Sequence, residues 1–129
     1  MLIGDLLKNS AKKYPNKIAI IEGNNSATFR ELNQAANQIA NAVIQKTIKK
    51  ENNIGILSAN YFEYPAIYFG LAKSGHILAH LSTRFSSAEL THVINATNIT
   101  LIFIHTSFLS QVKGLLQNLP KLKDIIVFG

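Results

Sequence analysis

Apolar positions along the chain recur at two spacings, and the two spacings predict helices and strands in alternation. Helical spacing, with apolar residues three and four apart, is found at residues 2–13, where Pro15 ends the pattern. It returns from Leu32 to Ile44, preceded by Thr28 and Glu31, whose spacing predicts a capping box at a helix start. The first run consists of Leu2, Ile3, Leu6, Leu7, Ser10 and Ala11. Small alanines in the second run predict that this helix lies close against a sheet.

Short apolar runs between these segments predict strands. Residues 18–21 and 27–29 flank a turn-forming cluster at 22–26, which predicts a hairpin. Further strands are predicted at residues 53–57, 76–81, 99–104 and 125–128. The run at 99–104 is uncharged and apolar on both faces, as expected for a strand covered on both sides.

Three more helices are predicted between the strands. Asn60 and Glu63 repeat the start signal, but Pro65 follows closely, so either the helix begins later than Asn60 or its first turn is distorted. Gly75 is expected to end this helix in a left-handed conformation. Ser86 with Glu89 predicts a second capping box, before Leu90, Val93 and Ile94. The last helix is predicted to start at Thr106 and Ser107 and to carry Leu109, Val112, Leu115 and Leu116.

This alternation predicts an α/β fold with a mostly parallel sheet, formed as a single domain or subdomain over residues 1–129. Apolar residues make up 47% and charged residues 16% of the chain, so it is expected to fold. No apolar run is long enough for a membrane span, and Asp5 lies where a signal peptide carries positive charge. The lack of a signal-peptide pattern predicts a cytoplasmic protein, and the absence of cysteine from the sequence fits a reducing compartment.

The net charge of +6 does not predict nucleic-acid binding. The lysines form scattered groups, no aromatic residues interleave with them, and Arg30 and Arg84 are the two arginines. Solvated helix faces and helix ends account for such a distribution.

Candidate chemical groups are sparse. His76 and His80 would share one face of a predicted strand, but no nearby acid or cysteine completes a metal site. Ser58, Ser82 and Ser86 follow predicted strands without the G-x-S-x-G pattern of a hydrolase nucleophile. Glycine-rich phosphate-binding patterns are absent from the sequence. We therefore predict no catalytic, cofactor-binding or metal-binding residue.

Two segments resemble shared motifs of the adenylate-forming enzymes. Thr28-Phe-Arg-Glu-Leu32 resembles the first, and Leu71-Ala-Lys-Ser-Gly-His-Ile-Leu-Ala-His-Leu81 resembles the second, with its Lys-x-Gly core. The order and spacing of the elements between them also match, so that the resemblance covers nearly the whole chain. The loop after residue 81 is similar to the acyl-CoA and aryl-CoA ligase branch. The sequence differs from the usual residues of this family at Glu51-Asn52, His80 and Thr83, and these differences affect the geometry of local loops rather than the fold.

The resemblance implies the N-terminal part of an acyl-CoA synthetase-like ligase. Such an enzyme forms an acyl-adenylate from a carboxylic acid and ATP, and a thiol such as coenzyme A then displaces AMP. ATP, Mg²⁺ and CoA are implied for the full-length enzyme. The Ser/Thr/Gly-rich loop ending in Pro-Lys-Gly and the other catalytic motifs of the family have no counterpart in this sequence. The chain alone is therefore expected to be inactive and to bind no cofactor.

Three hypotheses follow for the chain itself. The first is a scaffold whose partner is the remainder of the ligase chain. The second is a stand-alone α/β module that acts by protein association, and the third is an unrelated flavodoxin-like receiver or ligand-binding domain. A receiver needs an acidic cluster at the strand ends, where this sequence has Ser58, Ser82 and His105. Open strand edges and apolar faces predict self-association into a dimer or higher oligomer.

Overall fold

The computed structural model describes residues 3–46, 48–50 and 52–129. Its contacts divide the chain into two compact units, one of residues 1–47 and 60–76 and one of residues 48–59 and 77–129. We call the first the helical unit and the second the sheet unit, and each is described by itself. The single subdomain over residues 1–129 stays a prediction. Within the described ranges, no helix has the length and apolar character needed to cross a bilayer.

The helical unit contains α1 (Ile3–Lys13), β1 (Ile18–Glu22), β2 (Asn25–Thr28), α2 (Phe29–Gln45) and α3 (Tyr64–Lys73). The two strands pair antiparallel and turn at Gly23, whose φ is +59°, which confirms the predicted hairpin. The predicted capping box is confirmed as well. The backbone N–H of Glu31 donates to Thr28 Oγ1 at 3.2 Å, and the Thr28 N–H donates to Glu31 Oε1 at 3.0 Å.

The small residues of α2 allow a close approach to α3. A Cβ atom at Gly70 would lie 2.7 Å from Ile39 Cγ2 and 2.9 Å from the Ala36 carbonyl oxygen. Leu32 and Ala36 also pack against Ala19 and Ile20 of the hairpin. Within this unit α2 therefore packs both on the hairpin sheet, in line with the predicted contact with a sheet, and on α3, which was not predicted.

The predicted apolar face of α1 is only partly buried. Leu7 is buried, whereas Ile3 and Leu6 are 45% and 53% exposed. Helical spacing in the sequence therefore located this helix but overstated the width of its buried face. Leu2, which was assigned to the same face, lies outside the described residues.

The start of α3 differs from the Asn60 signal, and its end agrees with prediction. The helix begins at Tyr64 with Pro65 in its first turn, and no side chain caps it, so the capping role of Asn60 and Glu63 is wrong and the later start is confirmed. At its other end Gly75 has a φ of +80°. The Gly75 and His76 N–H groups donate to the carbonyls of Ala72 and Leu71 at 3.2 and 3.3 Å, the pattern of a Schellman motif.

The sheet unit contains β3 (Asn53–Leu57), β4 (Leu78–Leu81), α4 (Ser87–Ala96), β5 (Ile99–His105), α5 (Leu109–Lys113) and β6 (Asp124–Phe128). The strand order is β4-β3-β5-β6 and every pair is parallel, so the predicted α/β fold with a parallel sheet is confirmed. The side chains of β3 and β5 form much of the core, in which Ile54, Ile56 and Leu101 are fully buried. The capping box of Ser86 and Glu89 is also confirmed.

The single helix predicted after Thr106 is wrong. A 3₁₀ turn at Thr106–Phe108 precedes α5, and a second 3₁₀ turn follows at Leu116–Asn118. Gly114 is the C-terminal cap of α5, and in the described part of the chain no atom comes within 4 Å of the position that its Cβ would occupy. Glycine loses more backbone entropy in a helix than other residues, so an unpacked glycine favours the interruption seen here. Leu116, which was predicted to lie on the apolar face of this helix, is 45% exposed.

Candidate functional site

Polar side chains follow the carboxyl ends of the parallel strands, the edge at which open α/β sheets bind ligands. Ser58 follows β3, is 2% exposed and donates its hydroxyl to the Ala59 carbonyl at 2.8 Å. Ser82 follows β4, and its Oγ accepts the Arg84 N–H at 3.1 Å. Both serine hydroxyls therefore take part in local loop bonds, as structural serines do.

The ends of β5 and β6 are joined by side chains that follow them. The Thr106 hydroxyl lies 2.9 Å from the carbonyl oxygens of both Phe128 and Gly129. The His105 ring lies edge-on to Phe128, with centroids 5.4 Å apart. Its Nδ1 accepts the Ser107 N–H at 3.2 Å and lies 2.7 Å from Ser107 Oγ, which caps the following 3₁₀ turn. These contacts fix the loop, and they explain why polar residues occur at this edge.

The other histidines and serines considered from the sequence do not come together as a metal site or a nucleophile site. β4 begins at Leu78, so His76 precedes the strand and the shared face predicted for His76 and His80 is wrong. The described residues contain no group of three or more His, Cys, Asp or Glu side chains able to hold a metal ion. The Ser86 hydroxyl accepts the Glu89 N–H at 3.2 Å in the helix cap. The absence of catalytic, cofactor-binding and metal residues stays a prediction.

Lys73, in the helical unit, is a charged side chain held by two asparagine side chains. It ends α3 within the second sequence motif, and its Nζ donates to Asn33 Oδ1 at 2.6 Å and to Asn37 Oδ1 at 2.7 Å. The two asparagines lie four residues apart on α2 and therefore share one face of that helix. At Gly4 of α1, a Cβ atom would lie 2.8 Å from Lys73 Cγ. Three helices thus meet around this lysine stem.

The electrostatic environment of Lys73 disfavours its charged form. Burial lowers the pKa of Lys73 below its usual value of 10.5, the nearby charge of Lys8 lowers the pKa further, and Asp5 acts in the opposite direction. A cleft of about 430 Å³ lies beside this ammonium group and is lined by Gly4, Asp5, Lys8, Asn37, Ala40, Asn41, Ile44, Ala72 and Lys73. Sequence reasoning missed this cluster. The available signal was the pair of asparagines at helical spacing beside the apolar stripe of α2.

The sequence profile of one enzyme family accounts for nearly all of this architecture. The profile, described as AMP-binding enzyme, matches residues 7–128. The chain belongs to the AMP-binding enzyme family. The adenylate-forming resemblance of the two motifs is thereby confirmed, and the matched part corresponds to the N-terminal segment of the acyl-CoA ligases in this family.

Individual family members agree with this assignment. A medium/long-chain-fatty-acid–CoA/3-oxocholest-4-en-26-oate–CoA ligase of Mycolicibacterium smegmatis is 26% identical over 125 residues, which cover 97% of this chain and 23% of the relative. A 4-hydroxybenzoate–CoA/benzoate–CoA ligase of Rhodopseudomonas palustris is 23% identical over 122 residues, covering 95% and 23% respectively. The chain therefore spans about a quarter of the length of these relatives.

A solved member of the AMP-binding enzyme family superimposes over the whole chain. The crystal structure of the anthranilate CoA ligase AuaEII, in complex with anthranoyl-AMP, matches with a TM-score of 0.93 and 26% identity. The match covers 100% of this chain and 25% of that structure. The fold of the chain is thus that of the N-terminal part of this ligase.

Proposed function

We propose that the chain is a structural scaffold within a ligase that adenylates a carboxylic acid with ATP and transfers the acyl group to coenzyme A or a carrier thiol. The observation that carries the proposal is the family match over residues 7–128, together with relatives that are CoA ligases and are about four times as long. Fatty-acid metabolism and a cytoplasmic location form part of the proposal. The partner of the chain is then the remainder of the ligase.

The chemistry itself is assigned to the part of the ligase that this chain does not contain. The sequence has no Ser/Thr/Gly-rich loop ending in Pro-Lys-Gly, and the hydroxyls of Ser58, Ser82 and Thr106 are engaged in loop bonds. ATP, Mg²⁺ and CoA are therefore ligands of the complete enzyme, and the chain alone is expected to bind none of them with useful affinity.

Calorimetry and pyrophosphate exchange test the two halves of this proposal. Titration of ATP-Mg²⁺ into the chain should give no saturable heat, and micromolar binding would contradict the scaffold role. A longer protein that carries this chain followed by the rest of a ligase should exchange pyrophosphate into ATP when supplied with fatty or aromatic carboxylic acids. Exchange by the chain alone, or no exchange by the longer protein with any of these acids, would refute the assignment.

Self-association is a second candidate property, favoured by the edges of the sheet. β4 and β6 are the two edge strands, and Val127 of β6 is 45% exposed. An edge strand with exposed apolar side chains is a template for pairing with another chain. Light scattering should therefore show a dimer or higher oligomer, and Val127→Lys should shift it toward monomer. Leu116→Lys is the matched control, because Leu116 is also 45% exposed but lies in a 3₁₀ turn and on no strand. A monomeric mass at high concentration contradicts the idea.

A further inference from the structure

Two clefts on the helical unit hold a concentration of positive charge that the scaffold role does not use. Among the described residues, the cleft of about 430 Å³ beside Lys73 is lined by the cations Lys8 and Lys73 and by one carboxylate, that of Asp5. A second cleft, of about 380 Å³, also includes Lys8 and adds Lys12 and Arg30, and no carboxylate of the described residues lines it. The two clefts share Lys8 and together form one basic surface along α1.

The ammonium group of Lys73 is held in position by neutral groups. Within the described residues its hydrogen-bond acceptors are the amide oxygens of Asn33 and Asn37, at 2.6 and 2.7 Å. An ammonium group has three donors, and amide oxygens carry no formal charge to balance it. The asparagines therefore orient the ammonium group without balancing its charge, and Asp5 is the nearby carboxylate that attracts it.

Burial is the largest cause of the lowered pKa of Lys73; the nearby charge of Lys8 lowers this pKa further, and Asp5 raises it. Lys8 and Lys73 thus line the first cleft as two like charges that repel each other. An anion placed between Lys8 and Lys73 would relieve this repulsion, since opposite charge nearby favours the ammonium form.

The surrounding groups favour a phosphate over a simpler anion. A phosphate ester has two negative charges and several acceptor oxygens, which match separated lysine charges. In the second cleft, on the other side of Lys8, Arg30 offers a planar group able to bind two oxygens of a phosphate. Ala40, Ala72 and Ile44 form an apolar wall next to the charged groups of the first cleft, which suits the organic part of a ligand.

We propose that the two clefts form a binding site, the α1 anion site, for a small organic phosphate ester. Lys8 and Lys73 contact its phosphate, and Asn37 and Asn41 donate side-chain N–H groups to it. The site belongs to the helical unit alone.

An NMR titration tests the α1 anion site in the chain as it exists. Backbone and lysine signals are followed while inorganic phosphate, phenyl phosphate or acetate is added at constant ionic strength, because unspecific attraction is screened by salt. We expect saturable shifts at Asn37, Asn41 and Lys73, with phenyl phosphate the tightest and acetate the weakest. Lys8→Gln should weaken phenyl phosphate binding on the order of fivefold, the effect of one partly exposed ion pair.

Matched variants separate the site from general charge and from folding. Lys13→Gln removes one positive charge from the same helix, α1. Lys13 Nζ lies 5.4 Å from the centre of the Tyr14 ring, and Lys13 lines neither cleft. The Lys13→Gln variant should therefore bind phenyl phosphate as tightly as the parent chain. Lys73→Met should abolish the saturable shifts. If that variant does not fold, the Lys8→Gln variant, which changes an exposed side chain, still tests the proposal. Equal weakening in Lys8→Gln and Lys13→Gln, shifts that do not saturate, or acetate binding as tight as phenyl phosphate would each overturn the proposal.

Discussion

Replacing Gly70 with alanine should destabilise the chain, because the packing of α3 on α2 depends on the missing side chain. The new Cβ would lie 2.7 Å from Ile39 Cγ2, 2.8 Å from Ile39 Cβ and 2.9 Å from the Ala36 carbonyl oxygen. Ordinary contact begins near 3.4 Å, so these atoms must retreat by about 0.5–0.7 Å. One of them is a backbone atom of α2, which a change of rotamer does not move.

The expected loss in the free energy of unfolding for Gly70→Ala is the difference between two effects. Overpacking of a close contact costs about 1–3 kcal/mol, with the upper part of the range expected where backbone atoms block relaxation. The better helix propensity of alanine returns about 1 kcal/mol. The free energy of unfolding should therefore fall by about 2 kcal/mol. With an m-value of about 2 kcal/mol/M, the urea midpoint should fall by about 1 M.

The assay is urea unfolding followed by circular dichroism at the helix band, with Gly114→Ala as the matched control. No atom of the described residues lies within 4 Å of a Cβ at Gly114, and the φ of −73° at this position suits alanine. The control should be unchanged or more stable by about 0.4–1 kcal/mol, since alanine restricts the unfolded chain. A Gly70→Ala midpoint equal to or above that of the parent would refute the close contact between α2 and α3.

Three further substitutions test other features of the structure by the same unfolding assay or by NMR. Gly75→Ala should lower the free energy of unfolding by about 1–2 kcal/mol, because alanine is strained at the φ of +80° found here. No atom of the described residues lies within 4 Å of the added Cβ, so the loss comes from the backbone alone. A Gly75→Asn variant that is no more stable than Gly75→Ala would contradict this. Ser86→Ala should cost about 1 kcal/mol through loss of a helix cap, and an unchanged midpoint would disprove the cap. The Thr28 backbone N–H, and after it the Thr28 side chain, hold the pKa of Glu31 below its usual 4.5. Thr28→Ala removes the side-chain hydrogen bond and keeps the backbone N–H, so NMR titration should show a partial rise of the Glu31 pKa. Because the folded pKa is the lower one, the stability that Glu31 contributes is present above its unfolded pKa and is lost as the pH falls through its folded pKa.

Features that depend on neighbours in sequence could be predicted from the sequence. The capping residues Thr28 and Ser86 act on N–H groups three residues away, and Gly75 ends its helix through bonds within one turn. The order of strands and helices likewise required only the alternation of apolar spacing. For these reasons the parallel α/β fold and most element boundaries agreed with the expectation.

Features that depend on distant residues could not be predicted in this way. Lys73 meets Asn33 and Asn37 across 40 and 36 residues of sequence, and no local pattern links them. The exposure of Leu6 depends on which helices pack around α1, and helical spacing does not specify that. With Pro65 in its first turn, α3 begins at Tyr64 and not at the capping signal of Asn60. At Gly114 the helix α5 ends, although the apolar spacing of the sequence continues beyond it.

The uncharged central strand β5 also affects how the chain must be made. From Leu90 to Val112 the sequence contains no Asp, Glu, Lys or Arg, and Ile99–Ile104 combines high β propensity with no proline, the signature of an aggregation-prone segment. No charged gatekeeper flanks it closely. Its protection during synthesis therefore comes from order of emergence. β3 and β4 leave the ribosome first, and at roughly 5–20 residues per second β6 follows the end of β5 within about 1–4 s. A slowed or interrupted translation between β5 and β6 would leave one edge of this strand open to other chains.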